Sequence, residues 1–338
     1  MTPIVSIVLP TYNRERFLPA AIGSIRQQTC DDWELIVVDD GSIDETLRVL
    51  QALTEDMSGR ITVIRQENMG PGVARNKGIH AARGKYVAFY DSDDTWDSGH
   101  LSSCIDQLER NPDVDWVYAN FRRVKFKTQE VIDQDEFHRH GVPAAFLKLN
   151  TEVRGVLHVL RDASAMRCLI EHGLGIGLRA SVVRRQIFDR VVFPNFRIGE
   201  DQVLYIRAYS SGANFGYLTS VQATAYVHES NISDVSSQRT LEKSIAVSKS
   251  LLESLRSLRD LPLSLRERMS LNRRIAGICF WNIGYQYASA KDYVAAIRFM
   301  GQGLVVCPQN VSFWKTYMLT VSRLLIDRVT ERSVKNHM

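Results

Sequence analysis

Five short apolar runs punctuate the first third of the chain: Ile4–Leu9, Leu35–Val38, Ile61–Ile64, Tyr86–Tyr90 and Trp116–Ala119. Most are continuous rather than alternating, as strands buried on both faces require. Segments with helical periodicity lie between them. Phe17, Leu18, Ala21, Ile22 and Ile25 share one helical face. A second helix is expected to open at Ser42-x-x-Glu45, read as a capping box, and to continue through Leu47, Leu50 and Leu53. A third follows Gly70-Pro71-Gly72, with the proline near its start, and a fourth follows Asp97 with Leu101, Ile105 and Leu108. Strand and helix alternate at a period of about 25–30 residues, which predicts successive βαβ units. A parallel sheet with helices on both faces follows, with ligands at the carboxyl ends of its strands.

The pattern loosens after Ala119. Segment 122–150 is polar, carries His138 and His140, and reads as a variable excursion with some strand. Segment 155–193 regains apolar content. Strand signals nearly end at Val227, and from Gln238 onward Leu241, Ile245, Leu251, Leu252, Leu255 and Leu258 predict helix. The boundary is therefore placed between 237 and 238, with a helical C-terminal region over 238–338. Trp281-Asn282-Ile283-Gly284-x-x-Tyr287 through Pro308 looks like one tetratricopeptide-type hairpin. One such hairpin cannot bury its own face, so a helical appendage is the expectation. Phe313 to Leu325 mixes Trp314, Tyr317 and Met318 with Lys315 and Arg323. That texture suits a core-covering helix or one lying on a membrane surface.

Composition narrows the class. Lys+Arg 42 against Asp+Glu 38 gives +4 over 338 residues, too small an excess to call for a nucleic-acid partner. An apolar content of 45% excludes a disordered chain. Cysteines at 30, 104, 168, 279 and 307 form no C-x-x-C pair, which predicts free thiols in a reducing compartment. The first apolar run is too short for a signal peptide and lacks a basic region before it, and no run is long enough to span a bilayer. The expectation is a soluble, cytoplasmic or peripherally attached protein.

Acidic residues gather where such a sheet puts its ligand. Asp39-Asp40 close the second run and Asp91-Ser92-Asp93-Asp94 the fourth. Clustered carboxylates are costly without a cation, and a hard divalent metal is the usual partner. On an extended backbone the two acids of Asp-x-Asp lie on one side and can share an ion. Mn²⁺ and Mg²⁺ suit a few carboxylates completed by substrate phosphates. The first run ends Pro10-Thr11-Tyr12-Asn13-Arg14, without the glycines of a dinucleotide fingerprint or a phosphate loop. This argues against a dehydrogenase and against a nucleotidyltransferase. Tyr12 can stack on a base, Asp40 can accept from a base N–H, and Arg75 can reach a phosphate or base.

Val5-Ser6-Ile7-Val8-Leu9-Pro10-Thr11-Tyr12-Asn13, Val37-Val38-Asp39-Asp40-Gly41-Ser42-x-Asp44-x-Thr46, Asn68-x-Gly70-x-x-x-Ala74-Arg75-Asn76-x-Gly78 and Asp91-Ser92-Asp93-Asp94 together resemble the family 2 glycosyltransferases. Gly199-Glu200-Asp201-x-x-Leu204 lies where that family keeps its acceptor-side acid, and the resemblance covers residues 4 to about 233. It implies a GT-A fold: an α/β, Rossmann-like, mixed and mostly parallel sheet flanked by helices. Residues 1–120 would form the nucleotide-sugar-binding half and 121–237 the acceptor-binding half of one domain, 1–237.

The resemblance also implies roles. Pro10, Thr11 and Tyr12 line the base site, Asp40 hydrogen-bonds the base, and Arg75 sits beside it. Asp91 contacts the ribose or the metal shell, Asp93 binds the Mn²⁺ or Mg²⁺ that bridges the donor diphosphate, and His228 lies near that metal. Asp201 is the general base. The implied activity is inverting, metal-dependent sugar transfer from a nucleoside-diphosphate sugar, with UDP the expected carrier, to a saccharide or lipid-linked saccharide. Arg154, Arg161, Arg167 and Arg179 are candidates to meet an anionic acceptor. The alternative is a non-catalytic nucleotide-sugar-binding or scaffold protein working through its C-terminal helices.

Overall fold

Each of the five apolar runs forms a strand. They are β1 (Val5–Thr11), β2 (Trp33–Asp39), β3 (Ile61–Arg65), β4 (Tyr86–Phe89) and, after the two-residue β5 (Thr95–Trp96), β6 (Trp116–Lys125). Helices α1 (Leu18–Arg26), α2 (Thr46–Thr54), α3 (Pro71–Ala81) and α4 (His100–Arg110) lie between them. β3, β2, β1 and β4 run side by side and parallel. The continuous apolar runs follow from burial on both faces. Val5, Ile7 and Leu9 share a core with Leu18 and Ile22 of α1 and Leu101 and Ile105 of α4. Val8 points the other way, against α3. A Cβ at Gly78 would sit 2.5 Å from the Val8 Cγ1, so α3 reaches the sheet only with glycine there.

This computed structural model describes residues 2–57, 59–173, 177–229 and 240–335. The chain divides into two units, Met1–Asp234 and Val235–Met338. The expected boundary at 237/238 lies outside the described residues.

The second half of the first unit adds β7 (Val131–Asp133), β8 (Thr151–Arg154), β9 (Leu157–Leu160), α5 (Ala165–His172), β10 (Ser181–Arg184), α6 (Glu200–Ser210) and β11 (Phe215–Val227). β10 inserts between β4 and β6, antiparallel to both. β11 runs parallel to β6 and antiparallel to β9. The sheet is thus mixed, with the order β3-β2-β1-β4-β10-β6-β11-β9-β8. A run that is apolar on both faces carries no signal of strand direction, so the antiparallel part is not foretold by the apolar pattern.

The capping box expected at Ser42–Glu45 does not form. Asp44 stands at the entrance of α2 and its Oδ1 accepts the Thr46 N–H at 3.0 Å, while Ser42 Oγ accepts the Asn13 N–H at 3.0 Å. A capping box does open α8 (Leu265–Gly277) in the second unit, between Ser264 and Glu267. There α7 (Leu241–Arg256) precedes it. A π-helical turn, Ile278–Gly284, continues it into α9 (Tyr285–Ser289), and α10 (Tyr293–Val306) and α11 (Val311–Lys335) follow. Gly284 and Gly303 allow α10 close against this helix: their Cβ atoms would lie 2.7 Å from Met300 and 2.6 Å from Phe280. Ala276, Phe280, Met300, Leu304, Cys307 and Phe313 form this unit's core. All five cysteines are free. Among the described residues no helix is long and apolar enough to cross a membrane.

Candidate active site

A cavity of about 620 Å³ opens at the carboxyl ends of β1, β2 and β4. Pro10, Thr11, Tyr12, Asp40, Arg75 and Asp91 line it, and so do Asp93 and Asp201. Asn13, with φ +52°, turns the chain after β1. Its Oδ1 accepts the Ile43 N–H at 2.9 Å, reciprocating the Ser42 bond to its own amide. Thr46 Oγ1 takes the Arg14 N–H at 2.8 Å. The polar residues after β2 therefore staple the two loops that form the cavity's lip.

Asp40 is buried and clamps a third loop. Its Oδ1 accepts from Gln66 Nε2 and the Met69 N–H, and its Oδ2 from the Gly70 N–H, each at 2.8 Å. Gly70 takes φ +93°, which a side chain would strain. Oδ2 keeps a free lone pair for a ligand donor. The buried Thr11 Oγ1 has no hydrogen-bond partner among the described residues. Tyr12 is 41% exposed, leaving a ring face open to stacking.

The opposite wall is built from long-range ion pairs. Arg75 donates from Nη2 to Asp91 Oδ1 and from Nη1 to Glu200 Oε1, both at 2.9 Å. Both terminal nitrogens of its guanidinium are thus engaged by carboxylates. Burial pushes the Glu200 carboxyl up, helped by the neighbouring Asp201 and opposed by Arg75. The Asn76 side chain exchanges two bonds with the Phe193 backbone, 2.8 and 2.9 Å, and so ties the strand-to-helix segment before α6 to α3. Gly199, at φ +82°, then starts α6 and puts Asp201 in its first turn, where a helix N-terminus favours a carboxylate.

Asp91 and Asp93 do not share one side. The Asp94 N–H returns to the Asp91 carbonyl at 3.0 Å, closing a turn in place of the extended backbone expected. Asp91 consequently faces Arg75, while Asp93 Oδ2 lies 3.1 Å from His228 Nε2 and 3.3 Å from Arg14 Nη2. Burial opposes ionisation of Asp93, but His228, Arg14 and Arg179 outweigh it and hold its carboxyl below the usual range. The strand pairing explains the approach of His228 across 135 positions. β5 pairs with β11 at Ala223 and Thr224, and the Tyr226 N–H bonds Asp94 Oδ1 at 3.0 Å. Among the described residues no three His, Cys, Asp or Glu side chains converge as a metal cluster.

The sequence reading missed Arg14 and Glu200 as wall residues and placed Arg179 elsewhere. Arg179 lines the cavity, pairs with Asp94 and stands 3.7 Å from Asp91. Arg154 and Arg161 instead form a surface network with Asp113 and Glu152. The one available signal was Arg14's place just past the first strand, at the crevice.

Residues 6–169 match the family described as Glycosyl transferase family 2. EpsH of Bacillus subtilis (strain 168), which carries a glycosyltransferase name, is 31% identical over 254 residues, covering 73% of this chain and 67% of EpsH. The chain belongs to glycosyl transferase family 2, a family of glycosyltransferases. Its fold is similar to that of S. aureus TarS 1–349 in complex with UDP-GlcNAc, with a TM-score of 0.61 at 19% identity over 89% of this chain and 81% of that one. It is also similar to the mannosyltransferase PcManGT from Pyrobaculum calidifontis in complex with GDP-Man and Mn²⁺, with a TM-score of 0.56 at 16% identity over 96% and 86% of the two chains.

Proposed function

We propose that the chain is an inverting glycosyltransferase that takes its sugar from a nucleoside-diphosphate donor, UDP-linked, and places it on a hydroxyl of a glycan or lipid-linked glycan. The observation that carries this reading is the single cavity that holds Tyr12, Thr11 and Asp40 on one side and Asp93 and Asp201 on the other. Tyr12 stacks on the base. Asp40 accepts from a base N–H, and the unpartnered Thr11 hydroxyl takes a further donor or acceptor of the nucleotide. Arg75 serves this site by fixing Asp91 toward the ribose and Glu200 beside Asp201.

The Asp93 carboxylate is a hard oxygen donor that fits Mn²⁺ or Mg²⁺, the remaining positions falling to phosphate oxygens, and an imidazole beside it favours Mn²⁺ of the two. Asp93 and His228 would hold the ion. When bound, such a cation neutralises charge on a departing diphosphate. Asp201 removes the proton of the acceptor hydroxyl as the new bond forms at the anomeric carbon. With one base on the acceptor side and the diphosphate leaving opposite, the anomeric centre inverts. The transition state is oxocarbenium-like, as in glycoside hydrolysis.

The second unit offers a feature consistent with a membrane-face location. Trp314, Met318, Leu325 and Val329 are exposed along α11, with Lys315 and Arg323 among them. Peripheral attachment is read out by co-sedimentation with anionic vesicles. The test of the function itself is calorimetric titration of UDP, GDP and dTDP, each with and without Mn²⁺. Binding of UDP strengthened by Mn²⁺ is the expected result. No binding of any nucleotide under either condition sinks the reading.

A further inference from the structure

An imidazole and a guanidinium meet on one oxygen of Asp93. His228 Nε2 lies 3.1 Å and Arg14 Nη2 3.3 Å from the same Oδ2. Both rest on one aromatic platform: the His228 ring stacks on Phe17 at 4.3 Å between centroids, and the Arg14 guanidinium lies 5.6 Å from the Phe17 centroid. The backbone of Arg14 is fixed. Its N–H is held by Thr46 Oγ1 at 2.8 Å, and its carbonyl accepts the Phe17 N–H at 2.9 Å. The side chain lines the cavity. Arg14 can therefore change partner by rotating its side chain alone, without moving the loop.

We propose that Arg14 is the resident counter-cation of Asp93, exchanged for the divalent metal when donor binds, and that the displaced guanidinium then clamps the donor diphosphate. The inference rests on the functional reading above. Its logic is charge balance. A carboxylate only 14% exposed is stabilised by a cation at every stage, and two full cations cannot share one oxygen without repulsion. The metal arrives with a diphosphate, so the arginine it displaces finds a new anion within reach of its own pivot. A guanidinium fork suits phosphate oxygens, which it can hold bidentately. The empty-site charge is thereby kept neutral, and metal without nucleotide is held weakly because it must compete with Arg14.

Mn²⁺ binding to the full chain, followed by electron paramagnetic resonance without nucleotide, tests this. Arg14→Gln should bind Mn²⁺ about tenfold more tightly than wild type, since the competing charge is gone. At saturating Mn²⁺ the same variant should bind UDP about tenfold more weakly by calorimetry. Arg14→Lys keeps the charge but not the fork and should fall between wild type and Arg14→Gln on both scales, which also covers a fold defect in the glutamine variant. A purely structural ion pair would lower both affinities or neither. Unchanged or weakened Mn²⁺ affinity in Arg14→Gln overturns the exchange, and unchanged UDP affinity overturns the clamp. Wild type that binds neither Mn²⁺ nor UDP overturns the functional reading itself, and this inference with it.

Discussion

The two walls of the cavity are held by different forces. On the side of β1 and β2, polar side chains bind backbone amides: Ser42 to Asn13, Thr46 to Arg14, Asp40 to Met69 and Gly70. On the other side, Asp91, Asp93 and Glu200 pair with arginines and a histidine brought in from elsewhere in the chain, and Asp201 stands next to Glu200. A carboxylate that spends its lone pairs on backbone amides shapes a loop and stays put. A carboxylate paired with a mobile cation can trade that cation for another. The first wall is thus a preformed cradle, and the second is a charge balance that a charged ligand can redistribute.

The largest expected effect comes from the second wall. Asp201→Asn should lower turnover by about a thousandfold, the scale of a lost general base, while UDP affinity and melting temperature stay near wild type. Steady-state kinetics beside calorimetry separate the two. If UDP binding fell in parallel, the acid would belong to the cradle and the contrast would fail. Next is Arg75→Ala, which leaves Asp91 and Glu200 without their shared cation. A loss of about 3 kcal/mol in chemical denaturation is expected, as for a broken buried ion pair.

Third, His100 is fully buried, bonded to Gln222 Oε1 at 3.2 Å, and burial lowers its pKa to about 4. The folded chain resists protonating it, whereas the unfolded chain protonates near the ordinary value. Stability is therefore complete above the unfolded pKa and falls as pH drops toward the folded one. The loss is about 2 kcal/mol between pH 7 and pH 5. Denaturation curves of His100→Gln should be flatter over that window, and an unchanged slope would refute the assignment. The smallest effect is Ser42→Ala, about 1 kcal/mol for one hydrogen bond to the Asn13 amide. A larger loss than for Arg75→Ala would reverse the ranking of the two walls.

Particular residues show what could be read in advance. Positions 5–9, 35–38 and 86–89 are apolar throughout because both faces of those strands are covered. Such a run is visible without knowing which helix does the covering. Ser42 and Glu45 have the spacing of a capping box, yet the Ser42 hydroxyl goes to the Asn13 amide, because a motif of spacing does not say which amide a hydroxyl meets. Asp91 and Asp93 were expected on one side. The turn closed by the Asp94 amide sends them to different partners.

The sequence by itself determined the run of βαβ units, the continuous apolar strands and the gathering of acids at strand ends. These depend on neighbours within one turn or one pleat, and local pattern records them. The tertiary structure alone decided which cation answers which acid. Arg75 bridges to Glu200 across 125 positions and His228 reaches Asp93 across 135. Those meetings depend on β10 inserting antiparallel between β4 and β6 and on β5 pairing with β11. Register between distant strands is set by packing of the whole sheet, for which no periodicity along the chain is a sufficient record.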